Sequence, residues 1–456
     1  MITDVDTICA ISSPPGVGGI AVIRISGPQA FEISDRIWKG RRLSGVESHT
    51  AHLGTVMDSE GTPLDQAVAT VFRGPHSFTG EDTVEFSVHG SKWVQRELIE
   101  TLVQAGARIA GPGEFTMRAF TSGNLGLTQA EAVADIIDSN SRAAHRLAMS
   151  QLRGSFARRL KVLHDRLLEA ASLLELELDF SEEHEVFADR EQIRQIVDEI
   201  LAEVTRLGRS FRTGAAIKNG IPVAIIGQTN AGKSSLLNAL LDDERAIVSD
   251  IHGTTRDTIE ETIEIGDYTF RFIDTAGIRE TGDEIEKIGI TRSMDAINHA
   301  RIILHVIDPS QTEDTGLSQH LSQVMARPDS PHLIRLINKA DIHTGSADTP
   351  ETIHISARTG QGLDNLRKTL VDIIADEQRA ADADSGIIIT NARHARTLAE
   401  AAKHAQLTLD ALDTALPPDL TAEHLRDTLS TLSTLTGQIT SQDILTTIFT
   451  RFCIGK

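Results

Sequence analysis

The chain lacks the features that mark secreted and membrane proteins. Its 456 residues include only two cysteines, Cys9 and Cys453, far apart in sequence, so a disulfide framework is not indicated and a reducing compartment is favoured. No apolar run approaches the roughly 18 residues of a membrane span, and the start lacks the basic and apolar regions of a signal peptide. These absences predict a soluble, cytoplasmic protein with no membrane contact.

Positive charge is also scarce. Lys and Arg total 44 against 65 Asp and Glu, which gives a net charge of -21. Because binding to nucleic-acid phosphates is driven by counterion release at a basic face, long-range attraction to nucleic acid is not expected. Any RNA contact must be local or made together with a partner.

The length of 456 residues itself predicts about three domains.

The chain does contain a phosphate-binding loop. Residues 227–234 read G-Q-T-N-A-G-K-S, between an apolar strand-like run and a helix-like stretch. Gly227 and Gly232 let the backbone curl so that its N–H groups face phosphates, while Lys233 supplies a point charge and the Ser234 hydroxyl can ligate magnesium. This arrangement predicts binding of a nucleoside triphosphate.

The base is indicated further along the chain, where a strand-like run at 332–337 ends in N-K-A-D at 338–341. The Asp341 carboxylate can accept hydrogen bonds from both the N1–H and the N2 amino group of guanine, whereas adenine offers no such pair of donors. The S-A-R sequence at 356–358 follows another apolar run and is expected to close over the base. These motifs predict GTP rather than ATP.

The expected switch regions depart from the small GTPases. D-T-A-G at 274–277 is typical of the second magnesium-side aspartate with a glycine that meets the γ-phosphate, but Ile278 stands where a water-orienting glutamine is usual. Another group must therefore assist the attack of water on the γ-phosphate. In the polar loop 249–257, Thr255 is placed to bring a second hydroxyl to magnesium. The amide oxygen of Asn230, with backbone carbonyls of that loop, could hold a monovalent cation that acts as an arginine finger does.

The remaining segments differ in hydrophobic period. The first 120 or so residues alternate β-rich runs with turn signals around one amphipathic helix at 93–104, which predicts an α+β domain. Two later stretches, 127–207 and 391–452, have helical period and apolar faces that need cover, so we expect them to pack together around an inserted α/β GTPase segment. The predicted fold is multidomain, with an N-terminal α+β domain (1–122), a helical domain in two parts (123–216 and 380–456) and a Ras-like P-loop GTPase domain (217–379).

Several motifs outside the GTPase segment carry a more specific resemblance. They are P-P-G at 14–16, R-I-S-G at 24–27, S-F-T-G-E-D at 77–82, P-G-E-F at 112–115 and F-C-I-G-K at 452–456, and within the GTPase segment the G-T-T-R-D sequence at 253–257 also matches. With these the chain resembles the MnmE (TrmE) family of bacterial tRNA uridine-modification GTPases over essentially its whole length. The GTPase motifs alone are shared with ribosome-assembly GTPases, so the terminal C-I-G-K and the N-terminal motifs are the discriminating part.

The resemblance implies a GTPase that forms a homodimer through its N-terminal domain and a heterotetramer with FAD-binding MnmG. Together they place an aminomethyl or carboxymethylaminomethyl group at C5 of the wobble uridine of certain tRNAs. It assigns magnesium to Ser234 and Thr255, and arrangement of the attacking water to Glu286. It assigns potassium to Asn230, Ser249, Ile251 and Thr254.

The resemblance also implies a site for a one-carbon tetrahydrofolate, in the 5-formyl or methylene form, on the N-terminal domain. The matching positions are Arg24, Glu85, Asn124 and Lys456, and an arginine with a carboxylate suits a folate's glutamate tail and its pterin donors. Asn124 departs from the family, where a basic residue is common, and Gly126 replaces an aspartate. Cys453 is assigned as a thiol needed for the modification.

Two other functions share some of these features. A ribosome-assembly GTPase acting as an RNA-binding switch has the same central motifs, but it usually carries a basic RNA-binding module, and residues 391–456 are nearly balanced in charge. A purely regulatory or scaffolding GTPase would need neither the polar terminus nor its thiol.

The full set of expected GTP contacts is Asn230, Ala231, Gly232, Lys233, Ser234, Ser235, Ser249, Asp250, Ile251, His252, Gly253, Thr254, Thr255, Asp274, Thr275, Ala276, Gly277, Asn338, Lys339, Asp341, Ser356, Ala357 and Arg358.

Overall fold

The computed structural model describes the chain in segments. The described residues are 6–180, 190–242, 261–273, 294–311, 315–342, 349, 351–382, 386–414, 416–437, 442–450 and 452–455. The chain divides into two compact units, one of Met1–Ala134, Gln151–Leu168 and Leu429–Lys456, the other of Asp135–Ser150 and Glu169–Thr428.

The first unit is built on a sheet whose strands are ordered β3-β4-β5-β6-β2-β1-β7. The strands are β1 (Ile8–Ile11), β2 (Gly18–Ser26), β3 (Trp38–Lys39), β4 (Thr50–Met57), β5 (Pro63–Phe72), β6 (Thr83–Gly90) and β7 (Arg108–Ile109). Inward-facing residues such as Ile23, Ile25 and Phe86 alternate with outward-facing ones and share a core with Leu98 and Leu102.

Helices cover the core side of this sheet. They are α1 (Ala30–Ile37) and α2 (Lys92–Gln104), which contribute residues to that core. Helices α3 (Glu114–Thr121) and α4 (Leu127–Ile137) follow along the chain. The predicted amphipathic helix at 93–104 is confirmed as α2, whereas α1 and β4 were not predicted. The region is α+β, as its alternating strand and turn signals indicate.

Long helices form the middle and the end of the chain. They are α5 (Arg142–Leu152), α6 (Ser155–Phe180), α7 (Arg190–Asn219), α11 (Ala392–Asp413), α12 (Pro418–Thr436) and α13 (Gln442–Phe449). In the second unit α7 packs on α11, and Ser210 Oγ accepts a hydrogen bond of 3.0 Å from the Ile389 N–H just before α11. Helical residues from before and after the nucleotide-binding segment therefore share one layer.

The second unit also contains a sheet ordered β13-β12-β11-β8-β10-β9. Its elements are β8 (Ile221–Ile226), α8 (Lys233–Asp242), β9 (Glu261–Ile265), β10 (Tyr268–Ile273), β11 (Ile302–Ile307), α9 (Thr315–Met325), β12 (His332–Ile337), β13 (Thr352–His354) and α10 (Leu363–Asp382). All neighbouring pairs are parallel except β9 with β10. In this sheet β8 lies between β10 and β11. The strands that follow β8 along the chain are first added on the β10 side and then on the β11 side. The loop after β8 therefore lies at a topological switch point, where such sheets bind ligands.

Within the described part of the chain, we find no helix that combines the length and the apolar character needed to cross a membrane.

Candidate functional site

The phosphate loop owes its shape to two glycines. Gly227 and Gly232 have φ of 145° and 101°, and a Cβ on them would lie 2.2 Å from the Val306 carbonyl oxygen and 2.1 Å from Asn338 Nδ2, respectively. Asn230 takes a left-handed φ of 62° between them. A side chain at Gly227 would collide with the backbone of β11, and one at Gly232 with the Asn338 amide, so both glycines are needed for packing as well as for backbone freedom.

Lys233 closes this loop from the first turn of α8. Its Nζ donates hydrogen bonds of 2.8 Å to the carbonyls of Gly227 and Gln228. Burial lowers the pKa of the Lys233 ammonium, because no described carboxylate compensates its charge. Ser234 and Ser235 follow on the same turn. The loop therefore holds a desolvated cation at the N-terminus of a helix, which is an environment suited to an anion.

Asn338 joins the phosphate loop to the predicted base loop. Its Nδ2 donates to the Ala231 carbonyl at 2.7 Å, and its Oδ1 accepts from the Ala357 N–H at 3.1 Å. The Asn338 side chain is buried, so both hydrogen bonds lie in a low-dielectric environment where they are strong. Two of the predicted motifs are thus physically connected by one amide.

Asp341 is held as a carboxylate beside this connection. Ser356 Oγ donates to Asp341 Oδ1 at 2.7 Å, and Arg358 donates to Oδ2. The Ser356 hydrogen bond, together with Arg358, keeps the pKa of Asp341 below its usual value. A charged acceptor at this point matches the paired N–H donors of guanine. The structure therefore brings together Asn338, Asp341 and the S-A-R sequence as the motifs predicted.

Sequence reasoning missed Asp308, directly after β11. Its Oδ2 lies 2.5 Å from Lys339 Nζ, and its Oδ1 accepts from the Ser310 N–H and hydroxyl at 3.0 and 2.8 Å. The hydrogen bond from Lys339, followed by those from Ser310, lowers the pKa of Asp308 to about 2. Lys339 itself has a left-handed φ of 64°. An apolar strand ending in Asp308 is the same signal that identified residues 338–341, and it could have been used here.

The first unit holds a second group of predicted residues. Arg24 and Glu85 are directly opposite across β2 and β6, with Arg24 Nε 2.8 Å from Glu85 Oε1. The Arg24 guanidinium carbon lies 5.2 Å from the ring centre of Phe78 and 5.5 Å from that of Phe115, both cation–π distances. Asn124 Nδ2 donates to the Ser77 carbonyl, next to Phe78, at 3.0 Å. The two aromatic rings were not predicted.

A buried ion network connects the loop that carries Phe78 with the helix that carries Phe115. Arg118, with a side-chain exposure of 5%, donates to Glu81 at 3.0 Å and to Glu114 at 3.1 Å, while Ser26 Oγ also donates to Glu81. Burial by itself would raise the pKa of Glu114, but hydrogen bonds from Arg108 and a backbone N–H outweigh it, so that pKa lies below its usual value. Arg118 therefore joins Glu81, Glu114 and the Ser26 hydroxyl in one set of charge-assisted hydrogen bonds.

The segment around Cys453 is attached to the N-terminal strands. Ile454 forms a backbone bridge with Pro112, and Ser12 Oγ donates to the Gly455 carbonyl at 3.0 Å. Gly455 has φ of 99°, and a Cβ there would lie 2.0 Å from the Ile11 carbonyl oxygen. Cys453 is exposed, whereas Cys9 is fully buried and burial raises its pKa to about 11. Only Cys453 is therefore placed for chemistry.

Two family descriptions match this arrangement. Residues 7–124 match "GTP-binding protein TrmE N-terminus", and residues 127–453 match "MnmE helical domain". The chain belongs to the MnmE family. The matched ranges include both the unit that holds Arg24 and the segment that ends at Cys453.

Curated proteins of the MnmE family align along nearly the whole chain. A protein of Parabacteroides distasonis named "tRNA modification GTPase MnmE" is 46% identical over 99% of this chain and 100% of its own length. Proteins of the same name from Cytophaga hutchinsonii and Porphyromonas gingivalis are each 45% identical over 99% of this chain and 98% of their own length. Among solved structures, a crystal structure of Era with MgGDPNP and 16S ribosomal RNA nucleotides is 30% identical over 33% of this chain and 55% of that chain, with a TM-score of 0.25.

The other predicted positions of this chain lie outside the described residues. They are Ser249, Asp250, Ile251, His252, Gly253, Thr254, Thr255, Asp274, Thr275, Ala276, Gly277, Glu286 and Lys456.

Proposed function

We propose that this chain is a GTP hydrolase that acts with an FAD-dependent partner, MnmG, to modify C5 of the wobble uridine in certain tRNAs. The bridge that Asn338 makes between the phosphate loop and the Asp341 loop carries the GTPase part of this proposal. The names of the full-length relatives support the tRNA part. In this role GTP binding and hydrolysis drive a conformational cycle of a homodimer.

Guanine and phosphates are read by separate groups in this proposal. The Asp341 carboxylate accepts from N1–H and N2 of guanine, and Lys339 contributes its stem to the base site. Lys233 exchanges its two backbone carbonyl partners for phosphate oxygens, which restores the ordinary pKa that burial has lowered. Arg358 and Ser356 keep Asp341 ionised when the base arrives.

Two cations complete the proposed site. Ser234, together with Thr255, would hold magnesium, because hydroxyl oxygens at the start of α8 suit this hard cation. Asn230 would hold potassium with Ser249, Ile251 and Thr254, and its left-handed backbone within the loop fits a position beside the phosphates. The monovalent ion supplies positive charge for the transition state.

The first unit would bind a one-carbon tetrahydrofolate beside Cys453. Arg24 between two aromatic rings, paired with Glu85, offers both a cation and a stacking surface for a flat ligand with a carboxylate tail. Asn124, which contacts the Ser77 carbonyl, takes the place of a basic family residue. Lys456 would complete this set.

A deletion strain tests the proposal. Loss of the C5-modified wobble nucleosides from its tRNA, restored by the plasmid-borne gene, is the expected result. Normal levels of these nucleosides in the deletion strain would refute the proposal. Faster turnover of GTP than of ATP by the purified protein separates the GTPase part from the tRNA part.

A further inference from the structure

The acidic chain contains more than one basic stretch, and the stretch at 151–168 has its cations on the first turns of one helix and just before it. Against a net charge of -21, residues 151–168 carry Arg153, Arg158, Arg159, Lys161 and Arg166 with a single acidic residue, Asp165. This stretch belongs as a whole to the first compact unit. Since tRNA is a polyanion and the rest of the protein repels it, a local cluster of this kind is where a phosphate contact is electrostatically favourable.

Packing determines which of these side chains face solvent. Phe156, Leu160 and Leu163 form a buried stripe along α6, so the opposite face of the helix points outward. Arg153, Arg158 and Lys161 are exposed, and Arg158 donates to the Arg153 carbonyl at 2.7 Å. No carboxylate of the described residues forms an ion pair with these three cations.

Arg159 and Arg166 interact with other groups of the protein and are not counted with this face. We call Arg153, which directly precedes α6, together with Arg158 and Lys161 of α6, the α6 basic face.

Helix α4 connects the α6 basic face to the segment that precedes Cys453. Gln129 Nε2 donates to the Leu152 carbonyl at 2.8 Å, immediately before Arg153. From the same helical turn, Leu127 and Ala130 pack in one cluster with Phe449 and Phe452. Leu127 and Ala130 lie within about 3 Å of Gln129 along the axis of α4, since the helix rises about 1.5 Å per residue. The basic face and the thiol-bearing segment are therefore supported by the same turn.

We propose that the α6 basic face binds the phosphate backbone of the substrate tRNA and orients it with respect to the Cys453 segment. This inference rests on the proposed function and adds the surface on which the substrate is held. Backbone contacts of this kind position a nucleic acid without reading its sequence. Because such contacts do not depend on the bases, they also suit an enzyme that accepts several tRNAs of different sequence.

The test uses the full-length triple variant R153Q/R158Q/K161Q, in which glutamine keeps much of each side-chain stem and removes its charge. Binding of unmodified tRNA is measured by fluorescence anisotropy across a sodium chloride titration without nucleotide. We expect the affinity at low salt to fall at least about 10-fold, and the slope of log K against log salt to decrease in magnitude by about 2. Intrinsic GTP turnover should stay within about twofold of wild type.

The control is R36Q/K92Q/R96Q, which removes three exposed cations from helices α1 and α2 of the same unit and changes the net charge equally. Its tRNA affinity should remain near that of wild type. Equal losses in the two variants, or wild-type affinity and slope in the α6 variant, would overturn the inference. The deletion-strain nucleosides report on the proposed function independently of either result.

Discussion

Replacing Asp308 with Asn should weaken the binding of GTP and GDP by similar factors. The substitution keeps the shape of the side chain but removes the charge that faces Lys339 Nζ at 2.5 Å. Lys339 then has to be ordered by the nucleotide itself, so the cost appears in the ground-state complex. The transition state for phosphoryl transfer should be affected to the same extent, which leaves kcat unchanged.

The magnitude follows from the charge environment. The pKa of Asp308 lies at about 2 against an ordinary 3.8, and each unit of pKa is worth about 1.4 kcal/mol, so the carboxylate contributes at most about 2.5 kcal/mol. Lys339 is 38% exposed and water screens the pair, which reduces the expected loss to about 1–2 kcal/mol. This corresponds to affinity about 5- to 30-fold weaker.

The stabilisation has a defined pH dependence. The pKa is lower in the folded protein than in the unfolded chain, so the contribution is complete above about pH 4 and is lost as the pH falls towards 2. At neutral pH the full effect is expected. Fluorescent-nucleotide titration gives the two dissociation constants, and turnover at saturating GTP gives kcat.

Asp364→Asn is the matched control, because this carboxylate is fully exposed at the start of α10. It should bind nucleotide as wild type does. The reasoning is refuted if Asp308→Asn retains wild-type affinity, or if kcat falls while affinity is preserved.

Three further predictions concern other parts of the protein. GTP turnover should be faster in potassium than in sodium at equal ionic strength, and Asn230→Ala should abolish this difference; equal wild-type rates in both salts would contradict the cation site. Glu286→Ala should slow turnover by more than about 10-fold with nearly unchanged GTP affinity, because a water-orienting group acts in the transition state, and a large loss of affinity would instead indicate a structural role. Gly455→Ala should reduce tRNA modification in cells while purified protein retains GTP turnover, since a Cβ 2.0 Å from the Ile11 carbonyl displaces the Cys453 segment; wild-type nucleoside levels would contradict this attachment.

The nucleotide site could be predicted in large part because its signals are local. The glycines of residues 227–234 and the strand-ending motif at 338–341 depend on a few neighbouring positions, and the structure joins the two segments through Asn338. Asp308 could have been noticed at the end of an apolar strand, but its contact with Lys339 could not, because the two meet through the parallel pairing of β11 with β12. Sequence spacing contains no information on that pairing.

In the first unit, even more of the contacts depend on strand pairing and helix packing that the sequence does not show. Arg24 and Glu85 were assigned from a family resemblance, and their pairing arises from the register of β2 against β6 across 61 positions of sequence. The contact of Phe115 with Arg24 depends on how α3 packs under the sheet. Helix α1 was missed because its short amphipathic pattern lies between strand-like runs, where the period of two dominates.

The amide of Asn338 has a consequence for inhibition. It supports the carbonyl of Ala231 at one end of the nucleotide site and the N–H of Ala357 at the other, so neither loop can shift without losing a buried hydrogen bond. A small molecule that displaced residues 356–358 would break the hydrogen bond from the Ala357 N–H to Asn338. It would thereby also lower the affinity of the phosphate loop for the triphosphate, without binding in that loop.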